Sequence, residues 1–458
     1  MHRAMFRCVL IALLLIVTGA RAQMGNDPAA QPAPATLFEN VRVFDGLGDS
    51  LSPPRHVLVR GNTIERISAT PIEPQPGDTV IAGDGRTLMP GLIDAHTHLM
   101  FEGVSMLAAM RSDSEYLTLV AARSAEGHLM RGFTTVRDAG GATFALKRAI
   151  DQGLYPGPRI YPSGAMVSQT SGHGDFRART ELPREPGAPL TYAERVGMVA
   201  IADGRDQVLR AVRENLMRGA TQIKLMAGGG VSSDYDPLDV TQYTLDEMRA
   251  AVEAASHWGT YVTVHAYTPH AVRQAIEAGV RCIEHGQLLD EDTMRLVAER
   301  GVWLCLQPFL DDQDANPKPE GSPQRLKQIE VSQGTDRAYR LARELGVKVA
   351  FGTDTLFSPA NATRQGAQLA KLARWHTPAQ VLRMATSRNA ELLAMSGPRN
   401  PYPGRLGVVQ EGALADLILV EGDPLEDLDL IADPDRNFVV IMKDGKVYKN
   451  TVGVGGRR

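Results

Sequence analysis

The sequence predicts an α/β fold, a (β/α)8 TIM barrel with a small β-sandwich domain formed from both chain ends. Three observations lead to this prediction. The chain has 458 residues, 43% hydrophobic and 22% charged, which is enough for one large barrel and a smaller domain. Its central region alternates short apolar runs with amphipathic helical stretches. Both ends instead show strand-like alternation that is broken by Gly, Asp and Asn.

The first 22 residues predict a secretory signal peptide. A short basic start, "MHRAMFR", precedes the apolar run "CVLIALLLIV", which is too short to span a bilayer comfortably. Small residues at Ala20 and Ala22 then offer a cleavage site. The alternative is an uncleaved membrane anchor. With cleavage after Ala22 we expect an exported protein, periplasmic or secreted, that has no further membrane attachment. Residues 23–35, rich in Pro and Ala, predict a flexible lead-in.

Residues 36–88 and 400–450 are expected to form the small β domain together. The first part contains "TLFENVRVFDG" and "RHVLVRGNTIERIS", and the second contains "ADLILVEGD" and "FVVIMKDGKVYKN". These segments alternate apolar and polar residues, and they bracket the whole central region. Pairing between the two ends would make them one composite domain.

Residues 89–399 are expected to form the barrel. The eight strand candidates are "GLIDAHTHL", "GFTTVRDAGG", "RIYPSGAMVS", "QIKLMAGGG", "YVTVHAY", "RCIEHG", "VWLCLQP" and "VKVAFGTDT". Stretches such as "TLDEMRAAVEAASHWG" between them have helical periodicity. Irregular segments at 170–191 and at "DDQDANPKPEGSPQ" follow the third and seventh strands. They are candidate pocket walls, because barrel enzymes build their active sites on that face.

Charge and cysteine content narrow the possible partners. The formal net charge is −4 and no basic stripe is present, so we expect no nucleic-acid partner. Cys282 and Cys305 remain once Cys8 leaves with the signal peptide, and both lie in apolar runs. Buried thiols are the favoured interpretation, with a disulfide between them as the alternative. A homo-oligomer is expected, although no sequence feature fixes its size.

Polar side chains occur near the C-terminal ends of the predicted strands, where apolar residues are usual. Taken singly, each has an ordinary explanation, such as a hydrogen-bonded histidine, a cap or a snorkelling lysine. Because alternate strand residues share a face, His96 and His98 point the same way. Several such groups buried together are costly unless they are paired or bind metal. The candidate metal ligands are His96, His98, Lys224, His265, His285 and Asp354.

The motifs "GLIDAHTH" and "GTD", with a strand lysine and two strand histidines between them, resemble the amidohydrolase superfamily and its binuclear-metal members. The resemblance covers essentially the whole mature chain. It implies one buried and one exposed divalent ion, bridged by Lys224 after its amine has reacted with CO2. The implied ligands are His96, His98 and Asp354 for the buried ion and His265 and His285 for the exposed ion.

The chemistry of these residues is compatible with that resemblance. Imidazole and carboxylate suit zinc, the expected metal, and also suit manganese and cobalt. An apolar pocket depresses the pKa of Lys224, and only the neutral amine reacts with CO2. A hydroxide bridging the two ions would attack the scissile carbonyl, and Asp354 would act as the catalytic proton shuttle. The implied reaction is hydrolysis of an amide, a cyclic amide or an ester.

Further segments, including "SQTSGHGD", "IKLMAGGGV" and "MATSRNAELLAM", resemble the imidazolonepropionase-like, Xaa-Pro dipeptidase group. Members cleave dipeptides and N-acyl amino acids and release a C-terminal residue such as Phe or Pro, and some hydrolyse ochratoxin A. The resemblance therefore implies a small-molecule or dipeptide substrate with a free carboxylate. His173, Tyr267 and Arg137 are the candidate substrate-binding residues. Each also has a structural explanation, such as an ion pair between Arg137 and Asp138 or a neighbouring acid.

Several alternatives stay open. True imidazolonepropionase is disfavoured because Lys224 and the export signal do not suit a cytosolic, one-metal enzyme. Cyclic-amide hydrolases, lactonases and phosphotriester hydrolases use the same metal chemistry and stay compatible with the sequence. An exported binding protein without catalysis is disfavoured, because all six expected ligands are present.

Overall fold

The computed structural model describes residues 34–184 and 187–452. The predicted signal peptide, residues 1–22, and positions 23–33 of the predicted lead-in lie outside the described residues. The first strand already begins at Ala35, the last position assigned to the lead-in. Among the helices in the described ranges, none combines the length and the apolar character that crossing a bilayer requires.

The strands of the described chain are short and mostly buried. In chain order they are β1 (Ala35–Val43), β2 (Arg55–Arg60), β3 (Thr63–Ser68), β4 (Thr79–Ala82), β5 (Thr87–Pro90), β6 (Leu92–Thr97), β7 (Phe133–Asp138), β8 (Arg159–Pro162), β9 (Met166–Ser168), β10 (Val199–Ile201), β11 (Ile223–Met226), β12 (Val262–Ala266), β13 (Cys282–His285), β14 (Trp303–Leu306), β15 (Val349–Phe351), β16 (Leu417–Val420), β17 (Phe438–Lys443) and β18 (Lys446–Asn450).

Helices lie between the barrel strands and near the C-terminal end. In chain order they are α1 (Met106–Ala109), α2 (Ser114–Met130), α3 (Phe144–Asp151), α4 (Tyr192–Arg195), α5 (Arg205–Arg218), α6 (Leu245–His257), α7 (Pro269–Ala278), α8 (Glu291–Glu299), α9 (Pro323–Glu344), α10 (Gln365–Ala370), α11 (Pro378–Arg383), α12 (Asn389–Ala394) and α13 (Pro434–Asn437). A π-helical turn, Met384–Arg388, joins α11 to α12.

The two chain ends form one eight-stranded sheet, as the sequence predicts. Its order is β18-β17-β16-β5-β1-β2-β3, with β4 also paired to β1. The ends join where β5 pairs antiparallel with β16. Strand β1 is shared: its first half pairs with β4, its second half pairs with β5, and β2 pairs along it with a register shift between Phe38 and Val41. The two halves of the sheet enclose one hydrophobic core, so the domain is a β-sandwich.

The central strands form the predicted barrel. Strands β6, β7 and β8 pair in parallel, and so do β9 and β11 to β15 in a second sheet to which β10 is added. The predicted third strand is therefore present as two segments, β8 and β9. The ring closes between β15 and β6, where the Asp354 N–H donates to the carbonyl oxygen of His96 at 2.8 Å. Thr353 adds two hydrogen bonds to the buried Asp94 carboxylate, at 3.1 and 2.7 Å.

Strand alternation separates apolar from polar residues around the barrel. In β11, Ile223 and Leu225 belong to the core shared with the helices, while Lys224 between them lines the cavity at the barrel mouth. In β12, Val262 and Val264 pack outward in the same way, and His265 lines that cavity. The period of two along a strand thus places polar groups inside the ring.

Local sequence signals define the helices that hold these strands. Helix α6 begins with a capping box, in which Thr244 accepts from the Glu247 N–H and Glu247 accepts from Thr244. Helix α7 begins at Pro269, whose missing N–H costs nothing in the first turn, and ends before Gly279, where φ is +98°.

The composite sheet adjoins the barrel where β5 is followed by β6, which begins at Leu92. Strand β5 runs to Pro90, two residues beyond the predicted end of the N-terminal segment at 88.

Cys282 and Cys305 are buried free thiols, so the favoured interpretation of the cysteines is confirmed.

Candidate active site

Polar side chains from the barrel strands meet in one cavity at the C-terminal ends of the strands. The cavity contains about 1170 Å³ of space free of protein atoms, including its open mouth. It is lined by all six predicted metal ligands and by two of the three predicted substrate-binding residues: His96, His98, Lys224, His265, His285, Asp354, His173 and Tyr267.

His96, His98 and Asp354 form a tight group of candidate ligands. Asp354 Oδ1 lies 3.2 Å from His96 Nε2 and 3.1 Å from His98 Nε2. The two histidines share a face because they lie two residues apart at the end of β6. Asp354 reaches them because the backbone hydrogen bond to His96 closes the barrel at this point.

The second ring nitrogen of each of these histidines is held by an acceptor. His98 Nδ1 lies 3.2 Å from the carbonyl oxygen of Gly140, and His96 Nδ1 lies 2.8 Å from Glu284 Oε2. In the neutral rings, each Nδ1 therefore carries the hydrogen and each Nε2 keeps its lone pair. Outer partners of this kind orient imidazoles that bind metal and raise their basicity.

The other two histidines are held in the same manner. His265 Nε2 lies 3.0 Å from the carbonyl oxygen of Gly229, which leaves Nδ1 as its ligand atom. His285 Nδ1 lies 2.8 Å from Gln307 Oε1, which leaves Nε2. Their ring centroids are 4.5 Å apart, with the planes at 72°. Each ring therefore has one nitrogen fixed by the protein and one available to a cation.

Lys224 lies on the floor of the cavity. Its side chain is buried, and Nζ is 3.4 Å from His96 Nε2. Burial lowers the pKa of Lys224, against the opposing charges of Glu284 and Asp354. A lowered pKa increases the fraction of neutral amine, which is the nucleophilic form of a lysine.

Burial also keeps His96, His265 and His285 neutral. Together with the charge of Lys224, it lowers the pKa of His96 to about 4. It lowers the pKa of His265 and of His285 well below the usual value for histidine. Neutral imidazole is the form that binds a metal ion.

Asp354 and His98 shift each other in opposite directions. Burial alone would raise the pKa of Asp354, but the charge of His96 and the hydrogen bond to His98 outweigh it, so the pKa falls well below the usual value. Burial would lower the pKa of His98, and the contact with Asp354 reverses that shift. Asp354 is therefore ionised at neutral pH, as a ligand or a proton acceptor must be.

Two candidate ligands have a left-handed backbone, with φ of 83° at His285 and 48° at Asp354. Strict alternation would place the consecutive residues Glu284 and His285 on opposite faces of β13. The positive φ breaks this alternation, and both side chains approach His96: Glu284 Oε2 lies 2.8 Å from His96 Nδ1, and the His96 and His285 ring centroids are 5.3 Å apart. Such strain concentrates at functional sites.

The donor set fits a divalent ion. With both Nδ1 atoms donating, His96 Nε2, His98 Nε2 and Asp354 Oδ1 are three electron-pair donors within 4.8 Å of one another. A cation between them would relieve their mutual repulsion, and zinc takes such ligands.

A second cluster, formed by His96, Glu284 and Cys305, also groups three possible ligand atoms. It does not fit a cation, because Arg137 Nη2 donates to Glu284 Oε1 at 2.6 Å and already neutralises that carboxylate. The two clusters therefore differ in the charge that surrounds them.

His173 and Tyr267 lie beside the ligand histidines. The His173 ring stacks on His265 with centroids 4.0 Å apart and planes at 13°, and Tyr267 meets the same ring edge-on at 5.1 Å. His173 Nδ1 lies 2.7 Å from Asp236 Oδ2, which leaves Nε2 for the cavity. Gly230 permits this stacking, because a Cβ there would lie 2.2 Å from His173 Cε1 and 2.8 Å from His265 Nε2.

Arg137 does not reach the cavity, which corrects the prediction that it binds substrate. Its guanidinium is fully buried inside the barrel, where Nε donates to the Ala95 carbonyl at 2.5 Å and Nη1 to the Tyr261 hydroxyl at 3.3 Å. Nη2 donates to Glu284. The structural alternative, an ion pair with Asp138 or a neighbouring acid, is therefore the one observed, with Glu284 as the acid. Charge neutralisation of Glu284 explains why a buried strand carries an arginine here.

The two irregular segments predicted as pocket walls both line the cavity. The segment after β9 contributes Gly174 and Phe176, and the segment after β14 contributes residues from Pro308 to Lys318. Apolar side chains cover much of the wall: Met166, Phe176, Met226, Val231, Phe309, Leu310, Val331 and Leu356.

The sequence interpretation missed the residues that support the ligands. Glu284, Gln307 and Asp236 were not singled out, although Gln307 directly follows the apolar strand β14, just as His98 directly follows β6. Lys318 also lines the cavity and was missed. It lies in an irregular loop, where no periodicity indicates the direction of a side chain.

Comparisons with known proteins show the family to which this chain is similar. The family described as "Amidohydrolase family" matches residues 87–453. Ochratoxinase from Aspergillus niger is 33% identical over 383 residues, which cover 80% of this chain and 76% of the relative.

Two solved structures extend the similarity to the fold. A prolidase in complex with N-methylphosphonate-L-proline has a TM-score of 0.82 and 35% identity, and the match covers 91% of this chain and 100% of that chain. A Xaa-Pro dipeptidase with methionine in its active site has a TM-score of 0.77 and 29% identity, again over 91% and 100%. The chain therefore belongs to the amidohydrolase family and is a metal-dependent hydrolase of C–N bonds.

Proposed function

We propose that this enzyme hydrolyses the amide bond of dipeptides or N-acyl amino acids and releases a C-terminal amino acid such as Phe or Pro, with ochratoxin A among its substrates. The observation that carries the proposal is the cluster of His96 Nε2, His98 Nε2 and Asp354 Oδ1 at the base of a largely apolar cavity. Relatives named ochratoxinase, prolidase and Xaa-Pro dipeptidase support this choice of substrate class.

The donor set would hold two divalent ions, with zinc as the expected metal. When bound, the ions would supply a nucleophile at neutral pH and polarise the scissile carbonyl. Lys224, as N6-carboxylysine, would join the two positions, and its lowered pKa supports the reaction with CO2. The residues that would hold the ions are His96, His98 and Asp354 for one and His265 and His285 for the other.

Asp354 is the proposed proton shuttle. Its carboxylate is ionised and lines the cavity, so it can accept a proton from the attacking water and pass it to the leaving amine. The backbone hydrogen bond to His96 fixes its position.

His173 and Tyr267 are proposed to orient the substrate. The hydrogen bond between His173 Nδ1 and Asp236 fixes the imidazole with Nε2 directed to the substrate. Burial raises the pKa of Tyr267, so its hydroxyl stays protonated and can donate. Phe309 and the other apolar wall residues would hold an aromatic or aliphatic side chain.

Export and assembly are proposed from the sequence alone. Residues 1–22 would be removed as a signal peptide, and the mature enzyme would be periplasmic or secreted. The N-terminus of the secreted protein, measured by mass spectrometry, tests the cleavage after Ala22. Light scattering of the purified enzyme tests the expected homo-oligomer.

A hydrolysis screen of the purified enzyme, with its metal content measured in parallel, tests the proposal. The panel contains Xaa-Pro, Xaa-Phe and Xaa-Lys dipeptides, an N-acyl-phenylalanine, ochratoxin A, a lactone and a phosphotriester. We expect release of a C-terminal amino acid, loss of that activity with a chelator, and about two ions per chain. Turnover of the lactone or the phosphotriester alone would instead assign the enzyme to another branch of its family.

A further inference from the structure

Three lysines line the cavity, and their surroundings differ. Lys224 is on the floor beside His96. Lys371 on the wall is neutralised, because Nζ lies 2.7 Å from Asp312 Oδ2 and 2.6 Å from Asp314 Oδ2. For the third, Lys318, no carboxylate within ion-pair distance is found in the described parts of the chain. Lys318 is thus the cavity lysine whose charge is not matched by a neighbouring acid.

The loop that carries Lys318 is held by the wall around it. The Lys318 N–H donates to Gln328 Oε1 at 3.1 Å, and Gln328 Nε2 donates to the Asn316 carbonyl at 2.9 Å. On the N-terminal side of Lys318, the carbonyl oxygens of Asp314 and Ala315 accept from Asn361 Nδ2 at 2.8 and 3.2 Å. These contacts fix the backbone at Lys318 and on its N-terminal side.

The side chain of Asp314 also anchors this loop. Besides Lys371, it forms an ion pair with Arg364, and its side chain is almost fully buried. This acidic residue of the same loop therefore already has two cationic partners. The charge of Lys318 therefore remains available to a ligand that enters the cavity.

Lys318 is half-buried, and it lines the same cavity as Asp354 and the other candidate metal ligands. Burial lowers its pKa, while the charge of Asp354 acts in the opposite direction. A cation that has lost part of its hydration is stabilised by an incoming anion, because the anion replaces the lost water.

We propose that Lys318 binds the carboxylate of the substrate's C-terminal amino acid and thereby selects N-acyl amino acids and dipeptides over amides that lack a carboxylate. The inference rests on the proposed function and deepens it. The apolar wall, including Phe309 and Val331, would hold the side chain of the same amino acid. Lys318 acts here in specificity and takes no part in bond cleavage.

A substrate pair tests the proposal. N-benzoyl-L-phenylalanine and N-benzoyl-2-phenylethylamine share the scissile amide, and only the first carries a carboxylate. With Lys318→Met we expect KM for the first to rise about 10- to 100-fold with kcat within about threefold, as for loss of one charge-assisted contact. The kcat/KM for the second should change less than about twofold, because no carboxylate is involved. Lys318→Arg should restore most of the affinity.

The control is Lys348→Met, which removes an exposed lysine that pairs with Glu391 at 2.8 Å. It should leave both substrates unaffected. Equal losses on the two substrates with Lys318→Met would show a structural role and overturn the proposal. An unchanged KM for N-benzoyl-L-phenylalanine would overturn it as well.

A binding measurement separates this proposal from the proposed function. Calorimetry compares L-phenylalanine with 2-phenylethylamine on the wild-type enzyme and on Lys318→Met. We expect the substitution to weaken L-phenylalanine about tenfold or more and to spare the amine. Equal affinities of the two enzymes for L-phenylalanine would overturn the role of Lys318 even if the amide is hydrolysed. Failure of the wild-type enzyme to cleave any amide in the panel would refute the proposed function, whichever way the binding result falls.

Discussion

Two groups of buried charge lie inside the same barrel, and they differ in how their polar atoms are matched. In the Arg137 cluster, formed by Arg137, Ala95, Tyr261 and Glu284, the guanidinium donors meet protein acceptors. In the ligand cluster, formed by His96, His98 and Asp354, electron-pair donors face one another within 4.8 Å. The first group is complete without a ligand, and the second offers its donor atoms to a cation.

The difference shows that a buried charge alone does not identify a site. Arg137 and Lys224 are both cationic residues of barrel strands, and they are 0% and 1% exposed. Their positions on predicted strands do not distinguish the two residues. Their neighbours separate them, because Arg137 neutralises Glu284 whereas Lys224 lies beside a group of metal ligands. Substitutions in each cluster test this distinction.

The largest effect is expected from Lys224→Ala. Removing the proposed bridge should lower the metal content below two ions per chain and reduce kcat/KM by about 10⁴-fold or more, roughly 5.5 kcal/mol. Elemental analysis and the hydrolysis assay measure both effects. Lys348→Ala, on the exposed surface, is the matched control. Survival of both metal and turnover would mean that the site is not binuclear.

Asp354→Asn should remove catalysis while keeping the fold. The backbone hydrogen bond to His96 does not depend on the carboxylate, so the barrel closure should persist. Loss of a general acid–base group is expected to lower kcat by about 10²- to 10⁴-fold. Steady-state kinetics and circular dichroism provide the two measurements. Asp336→Asn, which alters an exposed pair with Arg374, should leave kcat unchanged. A near-normal kcat in Asp354→Asn would exclude it as the proton shuttle.

Local patterns in the sequence predicted much of this arrangement. The period of two in a strand identified His96 and His98 as neighbours, and the alternation of strands and helices predicted the barrel. Pairing of the chain ends followed from similar β patterns at both ends. Each of these inferences needs only residues that are close in sequence or a repeated pattern.

The support of the ligands could not be predicted in the same way. Glu284 lies 188 positions from His96, and their contact depends on the positive φ at His285 that breaks strand alternation. The position of Arg137 near a strand end predicted that its side chain reaches the cavity. In the structure, the guanidinium instead pairs with Glu284 inside the barrel. Such contacts depend on tertiary geometry, which no local pattern encodes.

Arg137→Met should reduce stability far more than substrate affinity. Removing one partner leaves the Glu284 carboxylate buried without its main counter-charge, at a cost of about 3–5 kcal/mol in the free energy of unfolding. Denaturant titration measures that loss. KM should change little in the folded enzyme, because Arg137 does not line the cavity. Arg295→Met, at an exposed pair with Glu291, should cost less than about 1 kcal/mol. A raised KM with unchanged stability would return Arg137 to the substrate site.

Glu284→Gln gives the smallest of these effects and probes the contact between the two clusters. Glu284 Oε1 accepts from Arg137, and Glu284 Oε2 lies 2.8 Å from His96 Nδ1. A glutamine has one carbonyl oxygen, so its amide donor must face either the guanidinium or the imidazole N–H. If it faces His96, the ring must move its hydrogen to Nε2, the atom offered to the metal.

We therefore expect Glu284→Gln to weaken metal binding about 10- to 100-fold, or roughly 1.4–2.7 kcal/mol, as for other outer partners of a metal-binding histidine. Competition with a chelator measures the affinity. Glu291→Gln, on the exposed face of α8, is the matched control and should have no effect. An unchanged metal affinity combined with a large loss of stability would assign Glu284 to the Arg137 cluster alone. A loss of affinity would mean that the cluster that stabilises the barrel also sets the hydrogen position on His96.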